Sequence, residues 1–180
     1  TARFSPTVDH ANLLDAAVRR SLCGTQIAMI FQNPMATFNP TLTLGYQIAE
    51  PLRIHRQFTR HDADIETVRL LERMQITDAK RRMTQYPHEF SGGMLQRAAI
   101  AMALAANPTL LIADEPTTAV DVSTQASILA LLSELRDEKQ LALLLITHDL
   151  RIVEQHAQRV AVMYAGEIVE TASTSDLLHT

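Results

Sequence analysis

Three short runs in the chain are apolar almost without interruption: "QIAMIF" (26–31), "TLLIAD" (109–114) and "LALLLIT" (141–147). Their length and their branched side chains predict strands buried inside a sheet. A fourth stretch, "RVAVMYAGEIVETA" (159–172), divides at Ala165-Gly166 and predicts two strands joined by a tight turn. Between the strands the apolar period changes to that of a helix. "STQASILALLSELRDEKQ" puts Ile128, Leu131, Leu132 and Leu135 on one face, with Ser123 as the expected N-cap. "LGYQIAEPLRIH", "DADIETVRLLERM" and "SGGMLQRAAIAMALAA" carry the same spacing, and no convincing strand interrupts residues 34–106. Strands alternating with helices predict an α/β fold with a parallel sheet covered on both faces. The all-helical middle predicts an insertion, bounded by "NPMATFNP" and "ANP". The expected division is a core of 1–32 and 107–180 with a helical subdomain of 33–106. No repeat, low-complexity tract or disordered linker appears.

Composition narrows the function classes. At 180 residues the chain can form one domain with a sizeable core. Its hydrophobic fraction of 47% and charged fraction of 20% are those of a globular protein. A net charge of −4 gives no reason to expect nucleic acid, which usually demands a basic surface. The one cysteine, Cys23, excludes an internal disulfide and fits a reducing compartment. No stretch reaches the ~20 apolar residues of a membrane span, and "TARFSPTVDH" lacks the layout of a signal peptide. The expectation is a soluble, intracellular protein.

The candidate chemistry sits where the predicted strands end. "LLIADEP" (110–116) runs an apolar strand into two adjacent acids. Burying an ionised carboxylate is costly without a cation or strong donors, so Asp114 and Glu115 mark either a solvated strand end or a cation site. In "EFSGGMLQRAAIAMALAA", Ser91 stands where an N-cap belongs, and Gly92 and Gly93 open the helix. Each glycine there costs roughly 1 kcal/mol against alanine. Bare amides and a hydroxyl at a helix mouth suit an anion. Gln32 in "IFQNP" and His148 in "LLLITHDL" would each, taken singly, be a solvated or structural side chain. His10, His55, His61, His88, His156 and His179 show no metal-ligand spacing. "RDEKQ" reads as a solvated helix end, and "KRRMTQYPHEF" (80–90) as a surface approach to the Ser-Gly-Gly helix.

The order of these landmarks resembles that of the ATP-binding cassette (ABC) ATPases over residues 20–180. Gln32 matches the Q-loop, "SGGMLQR" (91–97) the signature, "LLIADEP" the Walker B strand, "TTAVD" (117–121) the D-loop and His148 the switch histidine. The resemblance implies a P-loop NTPase parallel-sheet core, incomplete at its N-terminus, with an inserted helical signature subdomain. It implies ATP as substrate and Mg²⁺ as cofactor. Asp114 and Gln32 serve the metal, Glu115 acts as general base, and His148 and Gln32 complete the catalytic set. Ser91, Gly92, Gly93 and Asp121 lie on the nucleotide-facing side, the signature capping the γ-phosphate of ATP held by a second ABC ATPase subunit. The further partners implied are transmembrane permease subunits and, indirectly, a solute-binding protein, with no nucleic acid. The expected location is peripheral, on the cytoplasmic face of the plasma (inner) membrane. "AMIFQNPMATFNP", "FSGGMLQR" with Met94-Leu95, and "EPTTAVDVSTQASIL" look most like the importers of peptides and nickel, and Val120 stands where leucine is usual.

One landmark of the family does not occur. The chain has five glycines and lysines only at Lys80 and Lys139, which cannot be arranged into the phosphate loop GxxxxGK[ST]. The expectation is a chain that begins partway through a nucleotide-binding domain, is inactive alone, and leaves part of its apolar sheet face bare for want of the strand and helix that flank the loop. A degenerate, non-hydrolysing cassette is one alternative, opposed by the intact Asp114, Glu115 and His148. A DNA-maintenance ATPase of the superfamily is another, opposed by the lack of a sustained heptad run and by Gln32 preceding the signature.

Overall fold

The structure, a computed structural model, describes residues 15–118 and 120–179. The readings of the N-terminal stretch and His10, and of the His179 side chain, fall outside it. Helix α1 (Ala16–Leu22) is capped by Asp15 and leads into strand β1 (Ile27–Ile30). The helical middle follows: α2 (Pro34–Thr37), α3 (Leu44–His55), α4 (Arg60–Arg73), α5 (Ala79–Arg82), a 3₁₀ turn (Pro87–Glu89) and α6 (Gly92–Ala105). Then come β2 (Leu110–Asp114), α7 (Val122–Lys139), β3 (Ala142–Ile146), α8 (Leu150–His156), β4 (Arg159–Tyr164), β5 (Glu167–Ser173) and α9 (Thr174–His179). The predicted strands are all present, and among the described residues 33–106 hold helices and no strand. The hairpin turns at Ala165 and Gly166 as expected. Both have positive φ, 50° and 85°, as a two-residue loop matching the strand twist requires.

Strands β1, β2 and β3 form a parallel sheet in that order, with Met29 beside Ile112 and Ile112 beside Leu144. Strand alternation separates two faces. Ala28, Ile30, Leu111, Ala113, Leu143 and Leu145 join one apolar cluster with residues of α6 and α7. The four α7 positions predicted to share a face, Ile128, Leu131, Leu132 and Leu135, are all buried in it. That cluster also takes in Leu44, Ile48, Leu71 and Met74, so the core runs unbroken from the sheet into the helical middle.

Two expectations are corrected. The sheet is covered on one face and not on both, and part of the other is bare, as the absent phosphate-loop motif led us to expect: Met29, Leu144 and Ile146 there are 37%, 50% and 44% exposed. The strand order gives the reason. Strands that progress in one direction with right-handed crossovers place every connecting helix on the same side. The second correction is the cap of α7, which is Asp121 and not Ser123. The Asp121 carboxylate accepts from the Thr124 N–H at 3.0 Å and from the Ser123 and Thr124 hydroxyls at 2.6 and 2.7 Å. An acid two residues earlier satisfies more of the helix start than a serine can, and Ser123 becomes its donor.

Leu111 lies at the centre of the covered face with no exposed surface. Leu111→Ala is expected to cost about 2–5 kcal/mol through lost burial and the cavity left behind. Urea unfolding followed by circular dichroism measures it.

Candidate functional site

Because β1, β2 and β3 are parallel, their C-terminal ends lie along one edge of the sheet, where α/β folds gather ligands. β1 delivers Gln32, β2 ends in Asp114 and Glu115, and β3 delivers His148. Three of these meet at one carboxylate. Gln32 Nε2 donates to Glu115 Oε2 at 2.8 Å, and His148 Nδ1 lies 2.9 Å from Glu115 Oε1. Thr118 Oγ1 also donates to Oε2, at 2.9 Å. The hydrogen bonds from His148 and then Thr118 hold the Glu115 carboxyl below its ordinary range, so it is ionised at neutral pH. The Glu115 side chain is 24% exposed and that of His148 77%, so the cluster is open to solvent from the histidine side.

The backbone at Glu115 is unusual. Its φ is 43°, in the left-handed region, and Pro116 further restricts the residue before it. The turn is held by the Glu115 N–H, which donates to Ile146 O at 2.9 Å, and by the Thr118 N–H, which donates to Glu115 O at 3.2 Å. Strain of this kind persists only where surrounding contacts over-determine it. Its effect is to turn the carboxylate away from the strand and into the reach of Gln32 and His148.

Asp114, at the last position of β2, is partly buried beside Ile146. Among the described residues no side chain hydrogen-bonds or ion-pairs with its carboxylate. The signature residues form a separate group. Ser91 caps α6, its Oγ accepting from the Met94 N–H at 3.4 Å, and Gly92 is exposed. Among the described residues no hydrogen bond joins Ser91, Gly92 or Gly93 to the Glu115 cluster. Gly93 meets a constraint of its own: a Cβ there would lie 2.7 Å from Thr124 Cγ2 of α7. The Asp121 carboxylate is engaged in capping α7 and is held well below the usual carboxylate range by the Ser123 and Thr124 hydroxyls.

The sequence reading missed Thr118, Thr124 and Arg97. Thr118 had a signal, since its i, i+3 spacing from Glu115 across Pro116 is that of a turn. Arg97 had none: it donates to Met74 O at 2.8 Å, Gln75 Oε1 at 3.0 Å and Ser127 Oγ at 2.6 Å, partners far off in the chain. The approach to the signature is surface only in part: the exposed Tyr86 and His88 rings stack 5.8 Å apart, while Pro87 and Phe90 are buried and Phe90 joins the core. Among the described residues no group of three or more His, Cys, Asp and Glu is placed to hold a metal ion, and no helix is long and apolar enough to cross a membrane.

The fold has solved counterparts. An ATP-binding cassette determined as a dimer, in a post-hydrolysis state bound to ADP and Pi, matches with a TM-score of 0.73 and 27% identity, covering 84% of this chain and 64% of that one. A second dimeric structure of that same bacterial ABC transporter cassette gives a TM-score of 0.72 at the same identity and coverage. The architecture is thus that of a nucleotide-binding cassette with a P-loop NTPase parallel-sheet core. Within that class the chain belongs to the ABC transporter family, whose profile matches residues 2–118. A Brucella ovis protein named as a peptide import ATP-binding protein is 54% identical over 171 residues, 95% of this chain and 50% of the relative. The dipeptide transport ATP-binding protein of Haemophilus influenzae is 49% identical over 91% of this chain and 50% of its own length. The glutathione import ATP-binding protein of Escherichia coli K12 is 47% identical over 92% of this chain and 26% of its own. The chain spans about half the length of the first of these relatives.

Proposed function

We propose that this chain is the hydrolytic and signature-bearing part of the ATPase subunit of an ABC importer for peptides, coupling ATP hydrolysis to uptake. The observation that carries the reading is the convergence of Gln32, Thr118 and His148 on the ionised carboxylate of Glu115. A carboxylate fixed by three partners and open to water on one side is placed to accept a proton from an attacking water. His148 holds one oxygen and Gln32 the other, which fixes how the lone pairs are oriented. The intact cluster weighs against a degenerate cassette.

The donor set suits a hard cation. Asp114 brings to a strand end a carboxylate that no side chain among the described residues engages, and Gln32 brings an amide oxygen, the ligand types Mg²⁺ takes. In this reading Asp114 and Gln32 hold Mg²⁺, which when bound neutralises phosphate charge. Ser91, Gly92 and Gly93 offer the N-terminus of α6 to the γ-phosphate of ATP on a second ABC ATPase subunit, and Asp121 holds the loop beside them. The dimeric structures of the one solved cassette support a paired arrangement. We assign residues 1–32 and 107–180 to the ATPase core and 33–106 to the signature subdomain. Transmembrane permease subunits are the partners, with a solute-binding protein acting through them, and the location is peripheral at the cytoplasmic face of the membrane. The names of the relatives support peptides over nickel as cargo.

The test is completion. Fused behind a segment that carries the phosphate loop GxxxxGK[ST], the chain is expected to bind Mg-ATP and hydrolyse it, whereas the 180 residues alone, which lack that motif, do neither. Calorimetry and phosphate release measure the two. Steady hydrolysis by the 180 residues alone, or a folded fusion that binds Mg-ATP without turning it over, overturns the reading.

A further inference from the structure

Helices α6 and α7 meet near their N-terminal ends through unusually specific contacts. A Cβ on Gly93 would collide with the Thr124 methyl at 2.7 Å, while Thr124 Cβ and Oγ1 would lie at an ordinary 3.7 Å. The conflict is therefore with one methyl group. That methyl is not free to turn aside. The Thr124 hydroxyl donates to Asp121 Oδ2 at 2.7 Å and its N–H to Asp121 Oδ1 at 3.0 Å, and a β-branched side chain has few staggered choices at χ1. One turn along, Arg97 of α6 donates to Ser127 of α7 at 2.6 Å. Residues 93 and 97 share a face of α6, and 124 and 127 share a face of α7, so the two contacts make one seam.

We infer that Thr124 is a positioning residue for the signature: its methyl, pinned by the Asp121 cap, sets how closely the first turn of α6 seats on α7. Gly93 is glycine because of that methyl and not because of the nucleotide. The Ser91–Gly93 mouth is then tied to the start of α7, and Asp121 acts on the signature through Thr124. This rests on the reading of Ser91–Gly93 as a γ-phosphate cap, but it makes a separate claim about why a side chain is excluded at position 93.

Steric complementation tests it. Gly93→Ala introduces the collision, and Thr124→Ser removes the methyl while keeping the hydroxyl bonds to Asp121. In the completed cassette, Gly93→Ala is expected to raise the ATP concentration needed for dimerisation roughly tenfold or more, with Mg-ATP binding to the monomer unchanged. The double variant Gly93→Ala/Thr124→Ser returns dimerisation to within about threefold of the parent. A double variant as defective as Gly93→Ala overturns the inference, because the nucleotide itself would then exclude the side chain and the capping reading would stand. Unimpaired dimerisation of Gly93→Ala also overturns it. Should Gly93→Ala fail to fold, the thermal unfolding of the 180-residue chain decides: recovery in the double variant supports the seam, and failure of both variants refutes it. A parent cassette that never dimerises with ATP counts against the proposed function and not against the seam.

Discussion

Glu115→Gln lowers the hydrolysis rate of the completed cassette by roughly 10²–10⁴-fold, the usual worth of a positioned general base, and leaves Mg-ATP binding within a few-fold of the parent. The substitution keeps the size and planarity of the side chain. Its oxygen can still accept from Gln32 Nε2 and the Thr118 hydroxyl, which now share Oε2 at 2.8 and 2.9 Å. The new amide faces His148 Nδ1, to which it can donate when that nitrogen is unprotonated. What disappears is the proton acceptor. Asp114 and Gln32 are untouched, so the proposed metal ligands remain and binding is preserved. Single-turnover phosphate release reads the chemical step, and calorimetry reads binding. Turnover near that of the parent would remove Glu115 as the base and leave its three partners without a catalytic purpose.

The strands were legible because short, branched apolar runs have few other uses in a chain this polar, and each begins and ends within about two residues of its prediction. The α7 stripe was legible for the same reason. Its cap was not, because Asp121 and Ser123 are both good caps and only the choice of first helical residue separates them. The bare sheet face was expected from the absent phosphate-loop motif and not from apolar content, since Met29 and Leu144 are as hydrophobic as Ala28 and Leu143 across the sheet. Strand order decides which face is covered, and order is a tertiary property. Of the site, Gln32, Glu115 and His148 were identifiable only from the order of landmarks that resembles the ABC ATPases, since each alone also suits a solvated strand end, and the parallel register brings them together. The left-handed turn at Glu115 was not identifiable, because a glutamate before a proline gives no hint of positive φ. Gly93 shows the limit most sharply. A glycine at a helix mouth suggests a ligand, yet the nearest atom to its missing side chain belongs to Thr124, 31 positions later in the chain.

Gly92→Asp abolishes ATP-driven dimerisation of the completed cassette without destabilising it. Gly92 is the first residue of α6 and is exposed, so an added side chain there points at the solvent side of the helix mouth. In the fold itself the change is favourable: aspartate is a better helix residue than glycine, and a carboxylate in the first turn complements the helix dipole. The same charge opposes an incoming phosphate. Two unit charges 4 Å apart near a protein surface interact by about 4 kcal/mol, which corresponds to nearly a thousandfold in affinity even before the second phosphate charge is counted. Stability and assembly should therefore move in opposite directions, which a general packing defect cannot produce. Sedimentation in a Glu115→Gln background, where ATP persists, measures the dimer, and thermal unfolding measures the fold. A Gly92→Asp cassette that still dimerises with ATP would place the γ-phosphate away from the α6 N-terminus. One that loses its thermal stability together with its dimer would assign Gly92 to the fold instead.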